Sequence, residues 1–166
     1  MKRLTLVRHG HAEARAEGGD FFRELSPQGR AEAARTAMAL RTHLPPPELM
    51  KVSEALRTRE TARWLHEHFR SADSDTTAEI PLDTTPRLYH ASVSTLLDVI
   101  YDTPTTIQHL LIVGHNPGLS ELAQRWVQHI PLDHEFGGLP TAGWCSATFD
   151  AEDWRAISSP IDVMVS

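Results

Sequence analysis

The feature that most restricts the fold is residues 109–113, His-Leu-Leu-Ile-Val, which run without a break into Gly114-His115-Asn116-Pro117-Gly118. A short apolar run bounded by turn residues reads as a buried strand. A helix begins near Pro117, where Leu119, Leu122, Ala123, Trp126, Val127 and Ile130 form a wide apolar stripe. The same order of strand, polar cluster and helix occurs twice upstream. Leu4-Thr5-Leu6-Val7 runs into Arg8-His9-Gly10-His11. Residues 49–53 run into Glu54-Ala55-Leu56-Arg57, and Ala62, Leu65 and Phe69 mark a helix over about residues 57–69. Such alternation implies an α/β layered fold with a mainly parallel sheet. Strand order does not follow from spacing.

The remaining segments fill in this frame. Residues 12–24 are polar and carry Gly18-Gly19-Asp20, a loop over the end of the first strand. Ser26 suits an N-cap and Pro27 a first helical position. The helix they start, with Ala31, Ala34 and Met38 on one face, stops at Pro45-Pro46-Pro47. Residues 70–85 are rich in Ser, Asp and Thr and read as a surface excursion with one short strand near residues 79–82. Leu96, Leu97 and Ile100 mark a helix ending before Pro104, and residues 144–149 form a last strand after the turn-rich Gly137-Gly138-Leu139-Pro140. No repeat, low-complexity tract or linker divides the chain, so residues 1–166 are read as a single domain.

Composition excludes some functions. The formal net charge of -6 argues against general nucleic-acid binding, which needs a basic surface to replace phosphate counterions. No apolar run approaches the roughly 18 residues of a membrane span. The N-terminus reaches Arg8 and His9 too soon for the apolar core of a signal peptide. The single cysteine, Cys145, rules out an internal disulfide and fits a reducing cytoplasm.

A cationic pocket within an acidic chain is therefore informative. Three strand exits carry groups suited to a phosphate: Arg8 with His9, Arg57 at a helix start, and His115 with Asn116. A parallel sheet brings its strand exits to one edge, where ligands of open α/β sheets bind. Two guanidiniums hold a phosphoryl group through paired donors, and helix N-termini add backbone N–H groups. A neutral histidine among them is a competent nucleophile whose phospho-adduct divides one transfer into two easier steps.

In this order, Arg8-His9-Gly10, Ser53 to Arg57 to Thr61, and Gly114-His115-Asn116 resemble the histidine phosphatase superfamily, of phosphoglycerate mutase-like fold. Further landmarks resemble its short SixA-type phosphohistidine phosphatases: Asp20, Arg23, Leu25-Ser26-Pro27, Leu88-Tyr89-His90-Ala91, Asn116-Pro117-Gly118-Leu119 and Leu139-Pro140-Thr141-Ala142. The resemblance implies a three-layer α/β/α sandwich around a mostly parallel sheet. It implies that His9 is the nucleophile, that Arg8 and Arg57 clamp the phosphoryl oxygens, and that His115 completes the pocket, with Asn116 beside it for binding. It also implies chemistry without a metal or other cofactor. The expected partner is a phosphorylated protein, such as a histidine-containing phosphotransfer domain, and the expected role is cytoplasmic signalling.

This sequence departs from the larger members at one telling place. They carry a Glu or Asp that protonates the leaving oxygen, where this chain has Arg87-Leu88-Tyr89-His90-Ala91. Glu79 and Asp83 lie upstream, with nothing in the sequence to choose between them. Imidazole as a leaving group is protonated near pH 6.5 by solvent, so it needs less help than an alkoxide. The missing acid thus favours a phosphoramidate over a sugar phosphate. Turnover of small phosphate esters is the alternative, as is a phosphate- or phosphoprotein-binding module without turnover.

Plainer readings compete at several positions. Arg57 is otherwise a helix-face cation pairing with Glu60 or Glu54, and His115 a core histidine. Asp20 and Arg23 either shape the pocket rim or tie down their loop, and the role of His11 is open. His9 with His11, and His66 with His68, have metal-pair spacing but lack an evident set of further ligands. Cys145 and Trp126 read as core.

Overall fold

The apolar runs become the strands of one sheet. In the computed structural model, which describes residues 1–70, 79–128, 130 and 135–166, the order is β1 (Lys2–Arg8), α1 (Pro27–His43), β2 (Leu49–Ser53), α2 (Leu56–Arg70), β3 (Leu82–Thr85), α3 (Val93–Tyr101), β4 (His109–Gly114), α4 (Gly118–Val127), β5 (Trp144–Phe149) and β6 (Asp162–Val165). The strands lie in the order β3-β2-β4-β1-β5-β6. The pairs β3–β2, β2–β4 and β4–β1 are parallel, while β1–β5 and β5–β6 are antiparallel. The central strand β4 is buried at every position, as expected where helices cover both faces.

Two apolar clusters make the three layers. On one face Ala37, Leu40, Ala62, Leu65 and Phe69 of α1 and α2 pack on Val7, Met50, Val52, Leu111 and Val113. On the other, Val93, Leu96, Leu119, Leu122 and Trp126 of α3 and α4 pack on Leu4, Leu6, Leu110 and Ile112. Ser26 caps α1 through its hydroxyl, which accepts from the Gly29 N–H at 3.1 Å. Residues 71–78 of the expected excursion lie outside the described residues.

Three expectations need correction. The face α1 buries is Gly29, Ala33, Ala37 and Leu40, and Met38 points outward at 61% exposure. Alanine carries too little apolar contrast for the stripe to be read along so alanine-rich a helix. The excursion's strand sits at Leu82–Thr85, where Met50 to Ser53 of β2 fix its register. Finally, β6 follows residue 149; at four residues, with only Val163 buried, it carries little pattern.

Candidate functional site

Strand register assembles the site. Arg8 of β1 pairs with Gly114 of β4, and Val52 of β2 pairs with Val113, so His9, Ser53 and His115 emerge at one edge. The helices that follow β1 and β4 lie on opposite faces of the sheet, which opens a crevice between the two strand ends. Glycine makes the first exit possible. A Cβ on Gly10 would lie 2.6 Å from the Gly29 carbonyl oxygen, and one on Gly29 would lie 1.9 Å from the His11 oxygen. The chain leaving β1 is thus pressed onto the first turn of α1.

The protons of both imidazoles are fixed by their partners. His9 Nδ1 is 2.7 Å from the Gly10 carbonyl, which only accepts, so Nδ1 carries the hydrogen and Nε2 keeps its lone pair. Arg57 Nε donates toward that Nε2 at 3.3 Å. Arg57 Nη2 lies 3.4 Å from His115 Nδ1, and a guanidinium only donates, so His115 bears its hydrogen on Nε2 and donates it to Ser53 Oγ at 2.7 Å. The two ring centroids are 5.3 Å apart. Burial, with the nearby Arg57 and Arg8 cations adding to it against the Gly10 carbonyl, lowers the His9 pKa to about 4. Burial lowers that of His115 to about 3, helped by His9 and Arg57. Both rings are neutral at pH 7.

Arg57 is the hub. Only 1% exposed, it donates from Nη1 to the Asp20 carbonyl at 2.8 Å and from Nη2 to Asp20 Oδ2 at 3.0 Å. The plain pairing with Glu60 is absent, because Glu60 accepts from the Leu25 N–H at 2.6 Å. Arg8 stands apart from this network. Its Nη1 donates to the Leu139 carbonyl at 3.1 Å, its buried Nε has no hydrogen-bond partner, and it lines an adjoining groove of about 690 Å³. Asn116 gives its amide to the same Leu139 carbonyl at 2.9 Å, while its oxygen accepts from the N–H and hydroxyl of Ser120. The structure therefore brings His9, Arg57 and His115 into one hydrogen-bonded group and commits the Asn116 side chain to protein partners.

The residues left open now have places. Asp20 Oδ2 collects three donors: Arg57 Nη2, Tyr89 Oη at 2.5 Å and His90 Nε2 at 3.3 Å. The Tyr89 hydroxyl, with His90 and Arg57, holds the Asp20 carboxyl well below the usual carboxylate range, and the bond to Asp20 in turn pushes the Tyr89 hydroxyl up. Arg23 donates to Asp20 Oδ1 at 2.9 Å and to the Glu13 carbonyl at 2.9 Å, so it braces the loop and the rim together. His11 joins Ser26 Oγ at 2.7 Å and sits outside the pocket. His66 donates to the Ile80 carbonyl at 3.1 Å and His68 Nδ1 to the Trp64 carbonyl at 2.9 Å. Among the described residues no group of three His, Cys, Asp or Glu side chains is placed to hold a metal ion. Cys145 is buried, its thiol pushed up to about 12 by burial.

Ser53, Tyr89 and His90 had no functional role in the sequence reading. Ser53 ends its apolar run and gives no signal of its own. Tyr89 and His90 stand where a carboxylate was sought, so the search for one residue type passed over them.

This crevice and sheet define a phosphoglycerate mutase-like fold, and comparison with known proteins agrees. The family model of the histidine phosphatase superfamily (branch 1) matches residues 4–89. The chain belongs to that superfamily. An uncharacterised protein of Mycobacterium leprae is 33% identical over 104 residues, 63% of this chain and 58% of that protein. The chain spans less than two thirds of the length of the curated relatives it matches. A crystal structure from Agrobacterium tumefaciens, assigned as the phosphohistidine phosphatase SixA, superposes with a TM-score of 0.76 at 27% identity, covering 98% of this chain and 97% of that one. The structure of the protein histidine phosphatase SixA complexed with tungstate gives a TM-score of 0.68 at 21% identity, over 89% and 88% of the two chains. No helix among the described residues is long and apolar enough to cross a membrane.

Proposed function

We propose that this chain is a phosphatase that takes a phosphoryl group onto His9 Nε2 and passes it to water. The observation that carries the reading is the protonation pattern. The Gly10 carbonyl holds the hydrogen on Nδ1, so a neutral ring keeps its lone pair on Nε2, on the side of Arg57. When Nε2 bonds to phosphorus, positive charge develops on the ring, and the Gly10 carbonyl stabilises it through the Nδ1–H. Arg57 and Arg8 bind the equatorial oxygens, and His115, its ring held by Ser53, closes the pocket beside them. These donors do the work without a metal or other cofactor. Asn116 serves binding by fixing the Leu139 carbonyl on which Arg8 rests.

The substrate favoured by the SixA likeness is phosphohistidine on a protein in the cytoplasm. An open rim supports it, since Asp20 and His90 are about half exposed and Phe22, in the same short turn as Asp20, is 53% exposed. A second reading, small phosphate esters, is favoured by one observation: an imidazole, His90, stands at the rim where larger relatives keep an acid.

The test is hydrolysis of p-nitrophenyl phosphate alongside a phosphohistidine-bearing phosphotransfer domain. Wild type is expected to turn over at least one, and His9→Ala to lose at least 1,000-fold, on the order expected for removing a covalent nucleophile. Equal rates in the two proteins remove the nucleophile assignment. The ratio of the two substrates' kcat/KM values decides between the readings.

A further inference from the structure

We propose that His90 is the proton donor to the leaving group, oriented by Asp20. The proposal rests on the phosphatase reading above and deepens it. Cleavage of a phosphate ester by His9 leaves an electron pair on the departing oxygen, and a group at the pocket must protonate it.

Elimination leaves few candidates among the described residues. Asp20 touches the pocket, yet three donors converge on its Oδ2 and keep it ionised. Tyr89 commits its one hydrogen to that same oxygen, whereas His90, bonded there through Nε2, has a second ring nitrogen. His115 commits its hydrogen to Ser53, and Arg57 does not release a proton. Asp83 lies in register with Lys51, two residues short of the strand end, and Glu79 lines a different cavity with His66. His90 remains. Its ring centroid is 4.7 Å from that of His115, its Nε2 lies 3.3 Å from Asp20 Oδ2, and half of its side chain is open to solvent, so it can be recharged. Imidazole is also the side chain that ordinarily exchanges a proton near neutral pH.

The backbone adds an independent reason. His90 has a φ of 49°, in the left-handed region where glycine and asparagine fit best. Strain of this kind persists where surrounding structure enforces it, and here Ala91 is held tightly: a Cβ on Gly118 would lie 2.1 Å from the Ala91 carbonyl oxygen. The turn thus aims His90 back at Asp20.

The cycle balances. His9 Nε2 forms a bond to phosphorus as the ester P–O bond breaks, and the leaving oxygen takes the Nδ1 proton of the His90 imidazolium, whose Nε2–H stays on Asp20, giving the alcohol, phospho-His9 and neutral His90. Neutral His90 then accepts a proton from the water that attacks phosphorus. The N–P bond breaks, its electron pair returns to His9 Nε2, and inorganic phosphate departs.

The experiment compares kcat/KM of wild type and His90→Asn on p-nitrophenyl phosphate and on phenyl phosphate, which has the poorer leaving group. Asparagine suits the left-handed backbone and carries no transferable proton. The expected loss is at least tenfold larger for phenyl phosphate than for the nitrophenyl ester. His90→Gly, whose backbone is unconstrained, is expected to regain phenyl phosphate turnover when imidazole is added. Equal losses on both esters, with no rescue by imidazole, overturn the donor role while the phosphatase reading stands. Wild type that hydrolyses neither ester nor a phosphohistidine protein overturns the phosphatase reading, and this proposal with it.

Discussion

Ser53 fixes the tautomer of His115. Its hydroxyl takes the Nε2–H at 2.7 Å, at a position with no exposure, and Thr58 steadies that turn by donating to the Ser53 carbonyl at 2.8 Å. Removing one partner of a buried hydrogen bond costs about 1–3 kcal/mol. Ser53→Ala is therefore expected to lower kcat/KM by roughly 10- to 100-fold with a smaller effect on KM, as steady-state kinetics will show. Arg57→Lys tests the fork geometry. One ammonium cannot reach His9, His115 and Asp20 together, so a loss of about 100-fold or more is expected although the charge is kept. At this scale the ionisable groups at strand exits, His9, Arg57 and His115, were legible because chemistry and position coincide there. The sequence did not show Ser53, Tyr89 or His90, whose roles exist only through partners far along the chain, nor that Asn116 spends its amide on Leu139 and Ser120.

Among the elements, the strands were legible because β1, β2 and β4 are short apolar runs with abrupt polar ends. Register was not, since it depends on which strand lies beside which. Buried Lys51 is a case in point: its ammonium crosses to the Val99 carbonyl at 3.0 Å, near the end of α3, a partner no local pattern reveals. The contact between the first strand exit and α1 gives the sharpest test at this scale. Alanine in a helix ordinarily stabilises by about 0.5–1 kcal/mol over glycine. At Gly29 the new methyl meets the His11 backbone at 1.9 Å, and overpacking of this kind costs about 1–3 kcal/mol or more. The clash wins, so Gly29→Ala is expected to lower the melting temperature by roughly 5 °C and to reduce activity by displacing His9. A rise in melting temperature contradicts the tight seating of that loop.

For the whole molecule, the same burial that readies the histidines makes stability depend on pH. His9 and His109 are lowered to about 4 and His115 to about 3, each with burial as the main cause. A histidine whose folded value lies below its unfolded one, about 6.5, binds more protons when unfolded. Its stabilisation is complete above pH 6.5 and is lost as pH falls from there toward 4 and then 3. The Asp20 carboxylate adds to the loss at the acid end. Denaturation midpoints are expected to hold from pH 8 to 7 and to fall steeply from pH 6 to 4, as stability drops by on the order of 3 kcal/mol for each buried histidine. In contrast, ring signals of His9 and His115 are expected not to titrate between pH 5 and 8 in the native protein.

The central claim is that His9 Nε2 carries the phosphoryl group in the course of turnover. The most direct measurement is rapid mixing with excess substrate, a quench in base, where phosphohistidine survives, and peptide mass spectrometry. The account predicts a transient phosphate on the peptide holding His9, bonded through Nε2 and missing in His9→Ala. Phosphate on any other residue, or turnover at full rate with His9 unmodified throughout, contradicts it.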